Sequence, residues 1–163
     1  MVTLQPPDSH HLLAAVGWLE LGNPSEALLE LARLSPDNRI HPDALEVAWT
    51  IHSNMRDWDR CVEVARELTT VAPELSFGWI HLSYALHELK RTREAYDNLI
   101  PVLERFPGDW LMSYNLACYA CQMGELKEAS RWLAGAMVKG DRKEVTQMAQ
   151  EDPDLAPLFK EEK

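Results

Sequence analysis

The feature that most constrains this sequence is a period of 34 residues. Ala27, Cys61, Ala95 and Ala129 stand 34 apart, and Gly22, Arg56, Lys90 and Gly124 keep the same step. Pro73 and Pro107 repeat it once more. A small side chain at a fixed place in every period marks a point where two backbones approach closely. A period of this length means one supersecondary unit stacked in an array, because a single unit cannot hide its apolar face and its neighbours must do so.

Each period holds two helical patterns. The first halves run over about 8–21, 42–55, 75–88 and 109–123, and the second halves over about 24–34, 58–71, 92–105 and 126–138. The second halves carry the clearer stripes: Ala27, Leu28, Leu31 and Leu34, then Cys61, Val64, Ala65 and Leu68. Ala95, Leu99 and Val102, then Ala129, Leu133 and Ala136, follow in phase. Spacings of three and four place these side chains on one helical face, and no β-type alternation competes. Pro42 followed by Asp43, and Asp109 ahead of the fourth pair, are helix-start signals.

The third period reads Trp79-x-x-Leu82-Ser83, then Ala95-x-x-x-Leu99, then Pro107. This resembles the tetratricopeptide repeat (TPR), whose pattern is W-x2-L-G-x2-Y, A-x3-F and P over 34 residues. The fourth period has Leu116-Ala117, Gly124, Ala129 and Leu133. The second keeps Ala48, Cys61 and Pro73 but puts Trp49 where the family wants a small residue, while in the first Pro36 arrives three residues early. The resemblance implies an all-α fold: a right-handed superhelical stack of about four TPR hairpins, an α-solenoid, in one domain over 1–163. The repeats fall at about 8–36, 42–73, 75–107 and 109–141. Val145, Met148 and Ala149 suit a short capping helix at about 142–150, since an array must cover its open end. The tail, 152–163, is expected to be loosely ordered.

Composition narrows the partners. The formal net charge is −10, which repels phosphate backbones and anionic lipid and argues against nucleic acid and membrane. No apolar run approaches the roughly 18 residues that span a bilayer. The N-terminal stretch lacks a signal-peptide pattern, so a cytoplasmic location is expected. Three cysteines make a poor disulfide scaffold.

In the family, the first helix of each pair lines a concave wall that commonly holds an extended peptide or a helix. All 16 Lys and Arg lie outside the four first-helix segments, which carry only acids: Asp8, Glu20, Asp43, Glu46, Glu88 and Asp109. The inward set implied on later pairs is Glu46, Thr50, Ser53 and Asn54; Phe77, Ile80, Tyr84 and His87; Tyr114, Cys118, Cys121 and Gln122. Tyr84 and His87 are expected to face the groove and not the hairpin core. One subgroup of the family grips a C-terminal carboxylate with Lys, Arg and Asn. Here the matching positions on the first pair, Leu12 and Val16, cannot clamp an anion. The expected partner is a protein or peptide segment, neutral or basic, with apolar anchors.

Chemistry has few candidates. Cys118-x-x-Cys121 places two sulfurs on one helical face, but a zinc site needs four ligands and a redox pair usually opens a helix. Packing is the reading preferred for both, and Cys61 replaces a core alanine. No catalytic triad, paired carboxylates or phosphate loop emerges, so no enzyme activity, cofactor or metal is expected. An interaction module or adaptor is the leading reading. The alternatives are a secretion-type chaperone for a translocator protein, by resemblance to small acidic bacterial TPR stacks, and a cysteine-dependent metal or thiol activity. Two packing expectations follow: that Trp49 fills space left by Ala65, and that Pro101 bends or breaks its helix near 97–101.

Overall fold

The computed structural model describes residues 4–160. They form α1 (Asp8–Glu20), α2 (Pro24–Leu31), α3 (Pro42–Asn54), α4 (Trp58–Val71), α5 (Ser76–Glu88), α6 (Thr92–Leu99), α7 (Trp110–Gln122), α8 (Leu126–Lys139) and α9 (Arg142–Glu151), with three short 3-10 segments and no strand among the described residues. The described chain falls into two compact units, one ending at Leu82 and the other beginning at Ser83, a division that lies within α5.

The period has a physical origin in the turns. Gly22, Arg56, Lys90 and Gly124 all adopt a left-handed backbone, with φ of 72°, 56°, 63° and 79°. One residue later, the N–H groups of Asn23, Asp57, Arg91 and Glu125 donate to the carbonyls of Trp18, His52, Leu86 and Ala120 at 2.8–2.9 Å. This bond closes the end of each first helix and aims the chain back along it. Asn23 and Asp57 then cap the following helices, accepting from the N–H groups of Glu26 and Arg60. Pro42 sits in the first turn of α3, and Asp109 caps α7 by accepting from the Leu111 N–H at 3.1 Å. The small residues in phase, Ala27, Cys61, Ala95 and Ala129, are all fully buried.

In the first unit, α1 packs on α2, α3 on α4, and α3 against both α1 and α2. Its core gathers Ala15, Ala27, Leu31, Leu34, Ala44 and Ile51. The early Pro36 is accommodated by Asp8, which is buried and binds the shortened link. Its carboxylate accepts from the Ser35 backbone N–H at 3.0 Å, the Ser35 hydroxyl and the Asn38 amide at 2.6 Å. Those bonds, the Ser35 hydroxyl first, hold the Asp8 carboxyl below the usual carboxylate range. Trp49 is buried, and so is Ala65. The Trp49 indole lies flat on His81 of α5, with centroids 3.9 Å apart and planes 4° from parallel.

In the second unit, α7 packs on α8 and α6, and α8 on α9. Pro101 has the effect expected of a residue lacking an N–H donor: α6 stops at Leu99 and the chain continues as a 3-10 segment, Ile100–Arg105. On α9, Val145 and Ala149 are buried while Met148 is partly exposed. The segment after α9 is not a loose tail. Asp152–Lys160 is placed, with Leu155 fully buried and a 3-10 turn over Ala156–Phe159; residues 161–163 of the expected tail lie outside the described residues. No helix among the described residues is long and apolar enough to cross a membrane.

Candidate functional site

The 34-residue step puts the positions expected to face inward on the first helices in phase. Leu12, Glu46, Ile80 and Tyr114 share one phase, and Val16, Thr50, Tyr84 and Cys118 another. Within each unit these positions meet a different environment.

In the first unit they line an open groove between α1 and α3 of about 620 Å³, within the usual range for a ligand site. Its walls are Leu12, Leu13, Val16 and Leu19 from α1 and Glu46, Val47 and Thr50 from α3, with Leu4, Ser9 and Asp43 at the ends. Leu13 is 71% exposed, a large apolar side chain left in water. Negative charge sits among these apolar walls, from Asp43 and Glu46, and no basic residue lines them. Burial, and then the Asp43 charge, push the Glu46 carboxyl up. Thr50 turns its hydroxyl back to the Glu46 carbonyl at 3.0 Å, and Asn54 its amide to the Thr50 carbonyl at 2.9 Å. Glu46 and Thr50 are thus brought together, whereas Ser53 and Asn54 lie beyond the groove walls. Phe77 leans on His81, 5.9 Å between ring centroids.

In the second unit the corresponding face of α7 is covered by the chain itself. The Asp152 carboxylate accepts from the Tyr114 hydroxyl at 2.8 Å and from the Cys118 thiol at 3.5 Å. The Asp154 carboxylate bonds Nε2 of His87 at 3.0 Å, and the Asp154 carbonyl accepts from the Gln122 amide at 2.8 Å. The backbone of Leu158 hydrogen-bonds Cys121. His87 is also held on its other side, Nδ1 lying 2.9 Å from the Thr92 hydroxyl. The bond from His87 keeps the Asp154 carboxyl low despite its partial burial.

This face of α7 is therefore not an open wall. His87, Tyr114, Cys118 and Cys121 are buried, at 5%, 4%, 5% and 3% exposure, because residues 152–158 lie on them. Ile80 is buried as well, while Tyr84 keeps 39% exposure. Replacing His87 would therefore disturb packing and the Asp154 contact, and it is not a bystander to the fold. The segment that covers this face is acidic, carrying Asp152 and Asp154. The sequence placed Leu12 and Val16 at the inward positions of the first pair, but it pointed neither to Asp152, Asp154 and Leu155 nor to an apolar groove walled by Leu12 and Val16. For the latter pair the phase with Glu46 and Thr50 was the available signal; for the tail, no periodic signal existed.

The cysteines are all free and buried. Burial, followed by the charges of Asp152 and Asp154, drives the Cys118 thiol far up, and burial raises Cys121 as well. Burial pushes Cys61 up to about 12. Thiols held protonated in this way are poor nucleophiles. Among the described residues no group of three or more His, Cys, Asp or Glu side chains is arranged to hold a metal ion.

No protein-family model matches the sequence, and no curated protein matches it. Solved structures do. A thermophilic TPR protein of Thermus thermophilus superposes with a TM-score of 0.74 over 93% of this chain and 81% of its own, at 20% identity. The chain has the TPR fold. PilF of Pseudomonas aeruginosa aligns with a TM-score of 0.75 at 18% identity, over 93% of this chain and 67% of its own. MamA (41-end) of Desulfovibrio magneticus RS-1 gives 0.73 at 17% identity, over 96% and 92%. At these identities what is shared is the arrangement of TPR helical hairpins, the α-solenoid fold class; the side chains that line the two faces are this chain's own.

Proposed function

We propose that this protein is a protein-interaction module that holds an extended segment of a partner in the α1–α3 groove, and that it binds without catalysing a reaction. The observation that carries the reading is the equivalence of the two faces. Leu12, Val16, Glu46 and Thr50 occupy the same phase of the period as Tyr114 and Cys118, where a short segment of the chain, Asp152–Phe159, already lies in turns and a 3-10 helix. An apolar groove with an exposed leucine on its wall loses unfavourable hydration when covered. The acidic groups Asp43 and Glu46, with no basic residue beside them in the walls, favour a segment with apolar anchors and one or more Lys or Arg. Glu46 and Thr50 therefore remain in the proposed binding site with Leu12 and Val16, and Ser53, Asn54 and Phe77 are assigned to its continuation.

The test is selection of peptides from a random display library against the full-length protein. Selected sequences are expected to combine large apolar residues with Lys or Arg. Val16→Glu and, separately, Glu46→Lys should each weaken binding at least ten-fold, equivalent to about 1.4 kcal/mol, with helical content unchanged by circular dichroism. Added salt should weaken binding further. Lys127→Ala and Arg131→Ala on α8 should have no effect. Binding that survives both groove variants and disappears with the α8 variants would overturn the reading.

A further inference from the structure

The contact between residues 152–158 and α7 has the composition of a recognition site. Four donors on the wall meet acceptors on the segment: the Tyr114 hydroxyl and Cys118 thiol on the Asp152 carboxylate, His87 on the Asp154 carboxylate, and the Gln122 amide on the Asp154 carbonyl. His87 is 5% exposed, and its second nitrogen, bonded to the Thr92 hydroxyl, fixes the ring that faces Asp154. Just beyond the two carboxylates the segment supplies an apolar anchor, Leu155, which is fully buried. Pro153 and Pro157 stiffen it on either side, lowering the entropy lost on docking. No lysine or arginine takes part in these bonds. The wall reads the two carboxylates through hydroxyl, thiol and imidazole groups and the Asp154 carbonyl through an amide, while the nearby Lys90 charge favours the ionised Asp154.

We infer that the α7 face of the second unit is a receptor site for acidic segments of the form Asp-x-Asp-apolar, that Asp152–Leu155 is its resident occupant, and that a partner protein carrying such a segment binds by displacing it. The resident segment is tethered immediately after α9, so its effective concentration at the wall is on the order of millimolar. The site is therefore closed to weak ligands and open to a matching segment of higher affinity or in a multivalent partner. This is a different site from the α1–α3 groove, with opposite charge preference, and its test reads out at different residues.

The probe is a synthetic, fluorescently labelled peptide of residues 150–160. The host is the full-length chain carrying Asp152→Asn and Asp154→Asn, which loosens the resident segment while keeping its size. The peptide should bind this variant at least ten-fold more tightly than it binds the wild-type chain, where the resident segment competes. A peptide with both Asp replaced by Asn should not bind. Adding Gln122→Ala, at an exposed position on the wall, should weaken binding several-fold without changing helical content. A folded variant that ignores the peptide, or a wild-type chain that binds it equally well, would overturn the inference. Amide hydrogen exchange on the unaltered protein gives a check that needs no substitution: residues 155–159 should exchange at least ten-fold more slowly than in the free peptide. Exchange at the free rate would remove the resident occupant and the proposal with it. Dimers in which one copy's segment fills another copy's wall would overturn the assignment to a foreign partner.

Discussion

His81 shows how much a single residue couples packing to conditions. Stacked on Trp49 and screened from water, its imidazole is lowered to about 4 by burial, against an ordinary value of about 6.5. The folded state thus prefers the neutral ring, and the unfolded chain binds the extra proton between about pH 6.5 and 4. The stability contributed by this group is complete above about pH 6.5 and is lost as pH falls through that window, about 2 kcal/mol by pH 5. Urea denaturation at pH 7 and pH 5 should show that loss, and His81→Phe should flatten much of it. An equal loss in the variant would exclude His81 as the origin. Trp49 was legible as an anomaly, since its position in the period calls for a small side chain. Its partner was not legible, because the position of His81 relative to the indole depends on how α5 packs on α3 and α4, a tertiary matter that periodicity does not carry.

At the scale of the elements the period proved to be a turn geometry. All four residues in the Gly22 phase adopt positive φ, although two of them, Arg56 and Lys90, bear side chains that disfavour it. The left-handed region costs a non-glycine residue roughly 1–2 kcal/mol, and glycine gives part of that back through the larger freedom of its unfolded chain. Lys90→Gly should therefore stabilise the protein by about 0.5–1 kcal/mol, and Gly124→Ala should destabilise it by about 1 kcal/mol, both measured by chemical denaturation. A destabilising Lys90→Gly would mean that the side chain does more than tolerate the turn. Helix positions were legible because capping residues, the left-handed turn and the missing donor of Pro101 are local causes. The length of α6 differs from the sequence expectation, ending at Leu99 where that same proline acts.

For the molecule as a whole, the fold class was legible and the state of its binding faces was not. The all-α TPR arrangement follows from a pattern repeated along the chain, which any window of the sequence samples. The occupancy of α7 depends on bonds between residues 30 or more positions apart, such as Tyr114 with Asp152 and His87 with Asp154, and nothing within Asp152–Lys160 announces where it will dock. The same cause explains the mixed outcome for the candidate site. Glu46 and Thr50 share an open groove, whereas His87, Tyr114 and Cys118 lie on a covered face with Gln122 at its exposed edge. The central claim, that the α1–α3 groove is where a partner segment lies, is tested most directly by amide exchange of the full-length protein with and without a peptide selected against it. The account predicts added protection gathered in residues 9–19 and 43–50, with exchange in α8 unchanged. Protection confined to α8, with the two groove segments unaffected, would contradict it.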